Sequence, residues 1–191
     1  ILEKSFLEYK SSQKETNLEE LYERKVNNIT ELNITTNKYL HNYQYAGIIA
    51  WHMPNAKIIH CFRNPLDNIL SISRANFDWG NYYSSSLIDT TAVYLDQEKI
   101  MSIYKNRFRS KIYDLNYDLL VQNPQKEIKS LINWLEWEWN ESYLSPHLNI
   151  RAVFTASDIQ VRSPINSKSI NGWMNYKDML KPAIKILTQT E

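Results

Sequence analysis

Three glycines and six prolines in 191 residues are too few for a flexible linker, a collagen-like repeat or a low-complexity tail. The glycines, Gly47, Gly80 and Gly172, stand far apart, so the chain carries neither a Walker-type loop nor a dinucleotide-binding G-x-G-x-x-G fingerprint. One cysteine, Cys61, excludes a disulfide framework and a thiolate metal cluster, and it suits a reducing compartment, hence a cytoplasmic protein. No apolar run reaches the roughly 18 residues of a membrane span. No Arg-rich presequence or apolar signal segment leads the chain. Neither sign of charge dominates: 22 Lys and Arg face 21 Asp and Glu, and this net +1 argues against a protein built to coat a polyanion. His41, His52, His60 and His147 form no H-E-x-x-H pair and have no carboxylate triad spaced around them, so no metal is expected.

What is present reads as one folded domain, with 43% hydrophobic and 23% charged residues. Residues 1–31 are polar and Glu-rich, with interrupted apolar positions such as Leu2, Phe6, Leu18, Leu21 and Val26, and are predicted to be helical. The β-branched stretch from Leu32 to Lys38 predicts a short strand ending at Asn37 and Lys38. A helix is expected from about Asn42 to His52, stopped by Met53-Pro54-Asn55. Ala56 to Phe62 reads as a short buried strand. Arg63-Asn64 follows, with Asn64 as cap and Pro65 at the first position of a helix carrying Leu66, Ile69, Leu70 and Ile72. Asp78 to Asn81 reads as a turn, and Tyr82 to Leu87 shows no firm element. Further helices are predicted over Thr90–Phe108, from Pro124 to about Trp137 and from about Tyr176 to Gln189. A further strand is predicted over Lys111–Tyr117, and residues 145–173 read as loop. Alternating strands and long helices favour an α/β fold with parallel strands.

In open parallel sheets, ligands gather at the carboxyl ends of strands. Arg63 stands at such an end, and Ser71 lies two turns into the following helix. Arg would bring a planar fork of donors to a phosphate, and Ser a short neutral hydrogen bond. The same residues also fit a structural role, with Arg63 paired to Asp67 and Ser71 bonded to its own helix backbone. His60, inside an apolar strand, reads as a satisfied core histidine. Its neighbour Cys61 points to the opposite face, so the two form no catalytic pair. The basic residues Lys99, Lys105, Arg107, Arg109 and Lys111 spread around a helix and its end, as a solvated surface does, and no nucleic-acid partner is expected.

The run Lys57-Ile58-Ile59-His60-Cys61-Phe62-Arg63-Asn64-Pro65-Leu66-Asp67-Asn68-Ile69-Leu70-Ser71 closely resembles cytosolic-type and bacterial sulfotransferases. In that family this strand, turn and helix bind the 3′-phosphate of the donor 3′-phosphoadenosine 5′-phosphosulfate, PAPS. Asn116-Tyr117-Asp118-Leu119-Leu120 and the following Pro124 resemble the family's Y-E-D-L…P segment, with Asp118 in place of the acid pair. Arg151 to Ile165 is similar to bacterial sulfotransferases often fused to tetratricopeptide repeats, and also to the protein-tyrosine sulfotransferases. The resemblance runs from about Ile34 to Leu187. It implies a P-loop-hydrolase-like, three-layer α/β fold with a parallel sheet. It implies sulfuryl transfer from PAPS to a hydroxyl of a carbohydrate, small metabolite or peptide, with 3′-phosphoadenosine 5′-phosphate as product. Residue by residue, Arg63 and Ser71 would hold the 3′-phosphate, and Tyr117 would pack or hydrogen-bond beside the nucleotide. Arg162 would lie near the donor loop. Lys38 would stand near the sulfuryl group, and Ser157 would donate to the same region, making these two the implied catalytic residues.

The family's opening strand and P-R-S-G-T loop have no counterpart before Lys38, and the acceptor base is unassigned. A polar helical segment over 1–31 followed by the C-terminal portion of a sulfotransferase domain over 32–191 is therefore expected. The fold would be incomplete at its N-terminus and the chain a truncated or weakly active portion. A sheet edge left open would promote self-association. The start at Ile1 rather than Met agrees with that expectation, and the abundance of Ile, Lys and Asn suits an AT-rich bacterial genome. The alternative function is a non-catalytic module that binds 3′-phosphoadenosine nucleotides or another protein.

Overall fold

The computed structural model describes residues 2–12, 17–30, 34–75, 77, 80–150 and 161–189. The chain divides into two compact units, Ile1–Ile58 with Ile100–Ile112, and Ile59–Lys99 with Tyr113–Glu191.

The first unit opens with a helical hairpin, α1 (Leu2–Ser11) and α2 (Leu18–Asn27). The Asn17 side chain caps α2 by accepting from the Glu19 amide at 2.9 Å, which satisfies one of the orphan donors of the first turn. The sparse apolar positions suffice because they share one face: Leu2 and Leu18 are buried with Met53, against Phe6, Tyr9, Tyr22 and Ile49. Glu8 of α1 pairs with both Arg24 and Lys25 of α2. A 3₁₀ segment (Leu40–Tyr45) leads into α3 (Ala46–His52). Ala46 is buried there with Met101 and Ile112, beside Tyr43, Ile58, Tyr104 and Phe108. Gly47 is required at this contact, since a Cβ on it would lie 2.3 Å from the Tyr104 ring.

The expected strand over 32–38 does not form in its described part. Residues 34–39 have no regular structure, and residues 34–40 are exposed. β-branched side chains favour a strand only when a neighbour supplies the hydrogen-bond ladder. Here Asn37 instead accepts a side-chain hydrogen bond from Asn42 at 2.9 Å.

The α/β architecture is as expected, with strands β1 (Ile58–Phe62) and β2 (Ile112–Asn116) adjacent and parallel, and among the described residues the sheet has these two strands. Helices α4 (Pro65–Ala75) and α5 (Leu87–Arg107) lie between them in the chain, and α6 (Tyr117–Gln122), α7 (Pro124–Leu135) and α8 (Lys181–Thr188) follow. In the second unit, Ile69 and Leu70 of α4, Tyr94 of α5 and Leu180 and Ala183 at α8 form the buried cluster. Both strand-to-helix turns use one device. Asn64 accepts from the amides of Leu66 and Asp67, and Asn116 from those of Asp118 and Leu119. The short α6 was not expected from the sequence. The closing helix starts at Lys181 rather than near Tyr176, and Pro182 explains the limit, because proline is accommodated only in a first turn.

Candidate nucleotide site

The carboxyl ends of β1 and β2 place Arg63 and Tyr117 together. The Arg63 guanidinium lies over the Tyr117 ring, 4.8 Å from its centroid. A third residue ties the pair. The Ser169 carbonyl accepts from Arg63 Nη2 at 2.8 Å, and its hydroxyl is 3.2 Å from the Tyr117 hydroxyl. Two carboxylates flank the guanidinium at wider spacing: Asp67 is 3.8 Å from Nη2 and Asp118 is 3.9 Å from Nε. Those distances are ion pairs without a hydrogen bond, and both Arg63 Nε and Asp118 Oδ1 are buried and unbonded. Arg63 is thus fixed in direction by one backbone carbonyl and one aromatic ring, between two carboxylates, and its buried Nε makes no hydrogen bond. That donor set suits a phosphate group.

The scaffold behind these residues is specific. Asp67 is 3% exposed, and its two oxygens accept the amides of Asn171 and Trp173 at 2.8 and 2.9 Å. The buried carboxylate therefore pins the loop that carries Ser169 to the start of α4. Asn171 takes the left-handed conformation, φ 56°, at the turn this requires. The backbone amide of Asn64 donates to Asp118 Oδ2 at 2.7 Å, which joins the ends of the two strands. The first-turn amides of α4 are committed to the Asn64 side chain, so a ligand here would meet Arg63 and not the helix terminus.

The remaining sequence-derived candidates fall in several places. Ser71 is exposed on α4, one turn beyond Asp67 on the same helix face. Arg162 is exposed and donates to the Asn149 carbonyl. Ser157 lies outside the described residues. Lys38 belongs to the first unit, where it is exposed on the wall of a groove of about 690 Å³ that Tyr39, His41, Asn42 and Tyr45 also line. The structural role weighed for Arg63 is realised in part, since Asp67 is near it. Asp67 does more than that, and Ser169 had no motif to announce it. The Asn171-Gly172 pair, a turn signal beside a Ser- and Asn-rich loop, was the available hint.

His60 is buried on β1, with Nδ1 3.3 Å from Asp114, but it is not the fully satisfied core histidine expected, because its buried Nε2, 3.6 Å from Glu98, makes no hydrogen bond. Among the described residues no group of three or more His, Cys, Asp or Glu side chains could hold a metal ion. No helix among them is long and apolar enough to cross a membrane.

The structure resembles the sulfotransferase domain from the curacin biosynthetic pathway, with a TM-score of 0.56 and 16% identity over 99% of this chain and 77% of that one. The chain is 34% identical over 155 residues to an uncharacterized protein of Aquifex aeolicus (strain VF5), covering 80% of this chain and 20% of that protein. It is 24% identical over 127 residues to a Caenorhabditis briggsae protein whose name proposes a protein-tyrosine sulfotransferase, covering 64% of this chain and 45% of that one. The chain thus spans between a fifth and a half of the length of these relatives. The model of the sulfotransferase family matches residues 6–141, which include β1, Arg63, β2 and Tyr117. The chain belongs to the sulfotransferase family.

Proposed function

We propose that the chain binds PAPS and takes part in sulfuryl transfer to a hydroxyl acceptor. The observation that carries the reading is Arg63 itself, a cation at a strand end, stacked on Tyr117 and held by the Ser169 carbonyl. In this reading Arg63 and Ser71 take the 3′-phosphate, Tyr117 packs beside the nucleotide and Arg162 stands near the donor. Lys38 offsets negative charge on the departing phosphate oxygen, and Ser157 donates to the same region. When bound, the donor supplies the sulfuryl group: the acceptor oxygen bonds to sulfur as the bond from sulfur to the 5′-phosphate oxygen breaks, and the hydroxyl proton passes to a base. The chain's own task is orientation, because in-line transfer loses on the order of 100-fold in rate for a misplacement of about 1 Å.

Residues 32–191 carry this chemistry in our reading, with the 1–31 hairpin as packing. The single cysteine suits a cytoplasmic protein.

Isothermal titration tests the assignment. 3′-Phosphoadenosine 5′-phosphate should bind more tightly than 5′-adenylate, and Arg63→Ala should remove most of the difference. A charge-assisted hydrogen bond is worth about 1.5–3 kcal/mol, or roughly 10- to 100-fold in affinity. Ser71→Ala should cost less, since a neutral hydroxyl contributes about 0.5–1.5 kcal/mol. Equal affinities for the two nucleotides would defeat the assignment.

A further inference from the structure

We infer that the groove beside Lys38 binds a neutral saccharide, so that the acceptor hydroxyl belongs to a sugar ring. That the sugar is an acceptor rests on the sulfuryl-transfer reading; that the groove binds a sugar does not.

The argument is one of chemical matching. At about 690 Å³ the groove is of small-ligand size. Among the described residues its polar lining is mostly uncharged: the amide residues Asn37, Asn42 and Gln44, the phenols Tyr39 and Tyr45, and the imidazole of His41. Charge is represented by Lys38 and Glu3, one of each sign, and aliphatic surface by Leu2. A lipid or steroid needs a predominantly apolar wall. An anionic peptide needs several cations with directed donors, and a lysine opposed by a glutamate does not supply them. A neutral ring bearing many hydroxyls fits what is there. Each hydroxyl both donates and accepts, as do primary amides and phenols. The C–H face of a pyranose finds a surface in Tyr39, which remains 60% exposed.

The lining is also pre-ordered. The Asn42 amide donates to Asn37 Oδ1 at 2.9 Å, and Asn37 Nδ2 is 3.4 Å from the Tyr22 hydroxyl. Tyr45 is fixed by stacking on Phe6 at 4.7 Å, and Tyr39 by an edge contact with His41 at 5.3 Å. Rigid aromatic surfaces and amides already held in place lower the entropy lost on binding. A site built to bond hydroxyls also rejects analogues that lack them.

The test is calorimetric titration of the 191-residue chain, without nucleotide, against neutral oligosaccharides of gluco, galacto, manno and N-acetylgluco type. A tyrosine peptide flanked by aspartates is titrated in parallel. At least one saccharide should bind at a single site. Tyr39→Ala and Asn42→Ala should each weaken it by about tenfold or more, the loss of one stacking or hydrogen-bond contact. Tyr39→Phe should retain the stacking part of the affinity. Tyr82→Ala, which alters a side chain 74% exposed in the other unit, should leave binding unchanged. Circular dichroism checks that each variant is folded, and the exposure of Tyr39 makes it tolerant of replacement. The inference is overturned if no saccharide binds, if the acidic peptide binds in their place, or if saccharide binding ignores both alanine variants. 3′-Phosphoadenosine 5′-phosphate titrated separately keeps the two readings apart. Nucleotide binding without sugar binding defeats this inference alone, whereas sugar binding without nucleotide binding defeats the PAPS reading and leaves the groove a saccharide site.

Discussion

Asp67 does the work of several residues from one nearly sealed position. Both of its oxygens accept backbone amides from a loop more than a hundred residues away, and its charge lies near Arg63. Asp67→Asn keeps the shape but turns an amide N–H toward one of those backbone donors. We expect a loss of about 1–3 kcal/mol in urea unfolding, the cost of leaving a buried donor unmet. Nucleotide affinity should fall as well, because Ser169 is carried on the same loop. Tyr94 provides a second reading at this scale. Burial, and then the nearby Glu98 charge, push its phenol up to about 12 from an ordinary 10.0. Its contribution to stability is complete below pH 10 and is lost as pH rises from 10 toward 12, where the unfolded phenol ionises before the folded one. Urea melts across that window should show the decline, and Tyr94→Phe should flatten it.

At the scale of elements, the side-chain caps and one close helix contact set the frame. Asn64 and Asn116 each close a strand-to-helix turn by accepting two first-turn amides. Asn116→Ala should cost about 0.5–2 kcal/mol of stability by chemical denaturation. Asn64→Ala should cost a similar amount and also disturb Arg63. Where α3 meets α5, Gly47→Ala would drive a methyl into the Tyr104 ring, and overpacking of this kind costs about 1–3 kcal/mol. If the contact is the cause, Tyr104→Ala in the same chain should recover part of the loss. In the hairpin, the hydrogen bond from Lys25 is the main cause that holds the Glu8 carboxyl below its ordinary 4.5, with Arg24 adding to it. The support of this depressed carboxylate is present above pH 4.5 and is lost as pH falls through its folded value. Glu8→Gln should remove that acid-side step from the pH profile of helicity.

Across the whole molecule, what could be read from sequence was what local chemistry decides. The unit from β1 through Asn64 and Pro65 into α4 is written in adjacent residues, and so are β2 and the proline-started α7. The strand expected over 32–38 is absent from its described residues, 34–38, because a strand needs a partner, and propensity carries no knowledge of one. Arg63 stood out because it follows an apolar strand, whereas Tyr117 entered only through the resemblance of Asn116 to Pro124 to the sulfotransferase segment. Ser169 escaped because its two bonds reach across 106 and 52 positions, which no window of sequence spans. The loop pinned by Asp67 has one more consequence, and it concerns time. A segment with no more regular structure than a short 3₁₀ turn, Gly172–Tyr176, normally trades its amide protons for deuterium almost as fast as free peptide. The amides of Asn171 and Trp173 should instead exchange at the pace of α4, because the carboxylate that shields them belongs to that helix and they open only when it lets go. In deuterium-uptake mass spectrometry, peptides over 170–174 should be protected like those over Ile69 and Leu70, and Asp67→Asn should return them to the exchange rate of an unprotected loop.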